Sequence, residues 1–143
     1  MIKTLDSHKA LFMEACQNDA QAVDFLMRLA RLYRVWDDLY DGNREHSGAE
    51  ISECFADAMF GLMDNKFFAA YRDQLWPQIV IAYNAWMDAN EWAKCGDQEK
   101  EYCAHFIKNY CDEIVMLCAF LIGGREHMRK VSLMIREQLM RKE

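Results

Sequence analysis

The chain has 143 residues, 52% of them apolar, 28% charged and one proline, so it is long enough to bury a core and too apolar for disorder. A formal net charge of −6 argues against duplex nucleic acid as the main partner, because phosphate binding needs a basic face. One all-α domain spanning residues 1–143 is expected.

A first helix is predicted over 7–17. Asn18 or Asp19 can cap a second, long one that carries Val23, Leu26, Met27, Ala30, Leu32 and Tyr33 at helical spacing and ends at Gly42. Ser47-Gly48-Ala49-Glu50 reads as a capping box, after which Ile51, Phe55, Met59 and Leu62 form one apolar stripe. Asp64 or Asn65 opens a short segment with Phe67, Phe68, Tyr71 and Leu75. Pro77 suits the first turn of the next helix, which stops near Gly96. Asp97 caps a fifth helix with Glu99 and Glu101 in its first turn, running to Gly123-Gly124, and a terminal helix follows over 125–140. The expected architecture is an antiparallel bundle of five to six helices with short connections.

Six cysteines could mean a disulfide framework or a zinc site, but no CxxC pair occurs, so buried, reduced thiols are expected. Lys3, Asp6, His8 and Lys9 interrupt any apolar run at the N-terminus, unlike a signal peptide. The longest apolar stretch, 114–122, is too short to span a bilayer. A cytoplasmic protein without a membrane role is expected.

The segment Trp36-Asp37-Asp38-Leu39-Tyr40-Asp41-Gly42 places three carboxylates within five residues at the end of the second helix. They fall within an arc of roughly 100°, and such crowding needs water, a basic side chain or a cation to compensate it. Asn84, Asp88 and Glu91 repeat the theme at i, i+4, i+7 on the fourth helix. Oxygen-rich sets suit Mg²⁺ or Mn²⁺, so Asp37, Asp38, Asp41, Asn84, Asp88 and Glu91 are the candidate metal ligands, provided the two ridges meet. His105, Asn109 and Asp112 share that spacing on the fifth helix and form a secondary polar candidate. Against these stands the plainer reading that each set is a solvated helix face, with Arg31 and Arg34 screening Asp38. Arg125, Arg129, Lys130, Arg136, Arg141 and Lys142 make the last helix basic, as the helix dipole favours.

Asp37-Asp38-Leu39-Tyr40-Asp41 resembles the DDxxD motif of isoprenyl diphosphate and terpene synthases, and Asn84, Asp88 and Glu91 look like a loose version of that family's second metal motif. The resemblance implies a reduced terpenoid-synthase-like arrangement with diphosphate held through Mg²⁺. Trp36 to Gly42, Asn65-Lys66-Phe67-Phe68, the run from Asn84 to Glu91, and Ile122-Gly123-Gly124 are similar to a group of small phage-encoded helical proteins of unknown function. That similarity implies the host cytoplasm as the setting. Asp112-Glu113 and the following apolar run resemble one helix of the all-α nucleotide pyrophosphatases.

Three functions are therefore expected in descending order. The first is a Mg²⁺-dependent site for a phosphate or diphosphate compound. The second is a non-catalytic phage accessory protein that binds a host or phage protein, and the third is a pyrophosphatase-like enzyme. Whether the chain is an enzyme stays open, and a homo-oligomer is compatible with its size.

Overall fold

The computed structural model describes residues 5–42 and 45–140. Among them every regular element is helical, as expected: α1 (Leu5–Ala15), α2 (Ala20–Asp41), α3 (Gly48–Ala56), a π-helical turn (Asp57–Gly61), α4 (Leu62–Asp64), α5 (Lys66–Trp92), α6 (Gln98–Ile107) and α7 (Asp112–Met140). The chain divides into two compact units, at Tyr71/Arg72. Tyr71 itself leaves the helical region at φ −118°, ψ 22°, interrupting α5.

In the first unit the helix ends follow local chemistry. Asp19 caps α2 by accepting from the Ala22 amide, and Gly42 closes it at φ 66°, a left-handed position that glycine reaches without steric cost. Ser47 caps α3 by accepting from the Glu50 amide. Asn65 starts α5. Its Oδ1 accepts from the Phe68 amide at 2.8 Å, while its Nδ2 donates to the Gln21 carbonyl at 2.8 Å and to Asp24 at 3.0 Å. One buried amide thus ends a turn and ties it to α2. Below it lies the core: Leu11, Phe12 and Ala15 of α1, Cys16 in the turn after it, Ala22, Val23, Phe25, Leu26 and Leu29 of α2, and Phe67 and Phe68.

The second unit begins with the rest of α5. Pro77 lies inside that helix, beyond its expected first-turn position. Asp97 caps α6, accepting from the amides of Glu99 and Lys100. The expected fifth helix is in fact two. Turns at 108–111 separate α6 from α7, although no glycine or proline marks the break. Then α7 folds back on itself at Gly124, whose φ 80°, ψ −176° only glycine adopts readily. A straight helix would put Glu113 and Arg136 roughly 35 Å apart, yet they form a forked pair at 2.6 and 3.3 Å. Glu113 also raises the Arg136 pKa, chiefly through that hydrogen bond. The glycine break and the helix after it are therefore as expected from the sequence. Arg141 and Lys142 of the basic stretch lie outside the described residues. Ile114, Val115, Met116, Cys118, Ala119, Val131 and Ile135 are the buried apolar part of this hairpin.

None of the cysteines is in a disulfide. Cys16, Cys54 and Cys118 are buried, but Cys95 and Cys103 are exposed, so burial does not account for all six. Burial pushes the Cys16 thiol up to about 12, with Asp19 adding to the effect. No described helix is long and apolar enough to cross a membrane.

Candidate functional site

Three residues of α2 on one stripe, Arg28, Arg31 and Asp38, join it to the segment that follows. Arg28 donates to Asp24 at 2.8 Å through Nε and to Asp57 Oδ1 at 2.5 Å through Nη1. Arg31 donates to Asp57 Oδ2 and, at 3.2 Å, to Glu53. Asp57, at the start of the π-helical turn, is only 6% exposed, so both its oxygens are satisfied by guanidinium groups and its charge is offset by two cations. The Arg28 pKa is raised, first by its hydrogen bond to Asp24. Gly61 packs directly on this pair: a Cβ there would stand 2.7 Å from Asp57 Oδ1 and 3.0 Å from Arg28 Nη1. Sequence spacing suggested Arg31 as a screen for Asp38, whereas its guanidinium goes to Asp57 and Glu53.

Asp38 meets His46 instead. The ring lies between the two helices, Nε2 at 3.0 Å from Asp38 and Nδ1 at 2.7 Å from Glu50, with its side chain only 7% exposed. The hydrogen bond to Glu50, then that to Asp38, raises the His46 pKa above 6.5. The protonated ring donates to both carboxylates and so clamps the end of α2 to the start of α3. Because the folded pKa is the higher one, this clamp contributes fully below the unfolded value of 6.5 and is lost as pH rises through the folded value. The thermal-midpoint advantage of wild type over His46→Gln should be largest below pH 6.5 and shrink as pH rises beyond it. A difference independent of pH would reduce the ring to a packing role.

Beside this stripe runs an apolar one. Leu32, Val35, Trp36, Leu39 and Tyr40 of α2 face Ile51, Cys54, Phe55 and Ala58 across an open groove of about 450 Å³. Trp36, Leu39 and Tyr40 are each close to half exposed, and Phe55 is 65% exposed. Met59, Phe60 and Met63, which follow the lining residues in the chain, are also exposed. Phe55 and Met59 of the predicted apolar stripe are therefore open to solvent, not core. Burial, the first cause, raises the Cys54 thiol pKa, which disfavours the nucleophilic thiolate there.

The predicted site residues fall in both units. Asp37 and Asp38 are half-buried and Asp41 exposed at the end of α2, in the first unit. Asn84, Asp88 and Glu91 are exposed on α5, in the second, with Asn84 donating to Asp88 at 3.2 Å. Among the described residues no group of three His, Cys, Asp or Glu side chains is placed to hold a metal ion. At Asp38 the His46 ring sits on the carboxylate, and when protonated it disfavours a metal there. The secondary set is divided: His105 is on α6, Asn109 in the turn after it and Asp112 at the start of α7. Asn109 donates to the His105 carbonyl at 3.3 Å, and both side chains are exposed.

Sequence reasoning missed Asp57, His46 and the groove. A usable signal existed for one of them. Asp57 interrupts an otherwise apolar run, and buried acids of that kind need a cation, which Arg28 and Arg31 supply. No protein family, curated protein or solved structure matches the chain.

Proposed function

We propose that this protein is a binding module whose α2–α3 groove takes an apolar helical segment of a partner protein. The observation that carries this reading is the exposed strip from Trp36 and Tyr40 through Phe55 to Met59 and Met63. Phe55, Met59 and Met63 recur every four residues, so they present one edge. From Ile51 to Met63 the backbone rises somewhat less than the ~18 Å of an unbroken α-helix, because the π-helical turn shortens it, and this leaves room for roughly three turns of a docked helix anchored at i, i+3, i+4 and i+7. Methionine and aromatic side chains suit such a surface, because thioethers adapt and aromatic rings bury large area with few rotors. An enclosed pocket would favour a small ligand, whereas this one is only partly enclosed, with Trp36, Leu39, Tyr40 and Phe55 reaching solvent. The lining offers apolar contact and one thiol held protonated by burial, which supports recognition over reaction.

The test is fluorescence anisotropy of a labelled, uncharged 18-residue amphipathic helical peptide with Leu and Phe at i, i+3, i+4 and i+7. Saturable binding to wild type should weaken at least about tenfold in Phe55→Ser plus Met59→Ser, as loss of two anchors implies. These positions are exposed, so the variant should keep its fold, which circular dichroism checks. Absence of binding to wild type, or equal binding by the variant, overturns the reading.

A further inference from the structure

Two ionic ties bracket the groove, and each is anchored next to its lining residues. At one end Arg31 precedes Leu32 and Asp57 precedes Ala58, and the Arg28 and Arg31 guanidinium groups both bond Asp57. At the other end Asp38 precedes Leu39 and Glu50 precedes Ile51, and the His46 ring bridges those two carboxylates at 3.0 and 2.7 Å. Each tie therefore joins a backbone position on the α2 wall to one on the α3 side. They differ in chemistry. A guanidinium keeps its charge, whereas an imidazolium gives up its proton near neutrality.

Among the described residues, Asp38 from α2 and Glu50 from α3 are the charged groups that meet the ring, and no cluster placed to hold a metal ion competes for them. The protonated ring donates to both. A neutral ring keeps one N–H, so one carboxylate then faces a lone pair and its hydrogen bond is lost. The start of α3 is left with half of its clamp, while the Asp57 tie stays as a pivot.

We propose that His46 is a proton switch on the groove: the charged ring holds the α3 wall in the position that receives a helix, and loss of its proton frees the loop-side end of that wall and weakens docking. The proposal rests on the groove reading above and adds its regulation. A wall fixed before the partner arrives need not be ordered on binding, so affinity should follow the protonated fraction of the ring. By linkage, a docked helix should strengthen proton binding at His46 by the same factor.

The experiment is the anisotropy titration with the uncharged labelled peptide, repeated from below pH 6.5 upward through the His46 transition, which ring-proton NMR locates. Wild type should bind at least about fivefold more weakly above that transition than below it. His46→Gln should lose this pH dependence. Glu50→Gln, which removes the largest influence raising the His46 pKa, should move the loss of affinity to lower pH. Saturating peptide should raise the NMR midpoint of His46 in wild type. Equal wild-type affinity on both sides of the transition overturns the switch and leaves the groove reading standing. The same loss of affinity in His46→Gln assigns it to another group and also overturns the switch. Binding at no pH removes the groove reading and the switch with it.

Discussion

Phe25→Ala is expected to lower the unfolding free energy by about 3–5 kcal/mol. The ring is fully buried and stacks on Phe68 with centroids 5.7 Å apart and planes at 17°, while Phe67 lies 6.0 Å away on its other contact. Truncation would remove both aromatic contacts and leave a cavity walled by α2 and the first turn of α5. That turn is pinned by Asn65, whose amide bonds to Gln21 and Asp24 hold the backbone, so the wall has little freedom to collapse inward. Incomplete collapse is what moves such truncations toward the upper end of their range. Urea unfolding gives the measurement. A loss below about 1 kcal/mol would mean that Phe67 and Phe68 close the space and that the packing is looser than described.

Where chemistry is local, the sequence was sufficient. The caps Asp19, Ser47, Asn65 and Asp97, and the glycines Gly42 and Gly124, act within a few residues of themselves, and each ends or starts an element where its residue type predicts. The break at 108–111 was not legible because the periodicity of Phe106, Tyr110 and Ile114 runs across it with no residue that forbids a helix. Periodicity also tells which residues share a face, not whether anything covers it: Phe55 and Met59 are on one stripe, as predicted, and stand open to solvent. The candidate site shares this limit. Arg28 and Asp57 are 29 residues apart, and Asp38 and His46 lie across a chain reversal, so their pairing depends on how α3 returns along α2. Acidic residues at Asp37, Asp38 and Asp41 were easy to see. That His46 is the group answering one of them was not.

Asp57→Ala should cost about 3 kcal/mol, near the lower end for removing one partner of a buried ion pair. The loss leaves Arg28 and Arg31 facing an apolar turn with no carboxylate between them. Because the two guanidinium groups keep 36% and 37% of their side-chain surface exposed, water can rehydrate part of each, which holds the penalty below the value for fully enclosed charges. Arg31 Nε is already enclosed without a hydrogen-bond partner among the described residues, so it gains nothing from the rearrangement. Asp57→Asn should cost less, since its amide oxygen still accepts from one arginine, but its NH₂ group then faces the other cation as a donor. The effect should extend to the groove. Asp57 holds the π-helical turn against α2, and Ala58, Phe55 and Cys54 in the groove wall are attached to that turn. Weaker binding of the neutral amphipathic peptide by Asp57→Ala, at a temperature where the variant is still folded, would link the buried pair to the shape of the groove. Unchanged binding with unchanged stability would show that neither the turn nor the groove depends on this carboxylate.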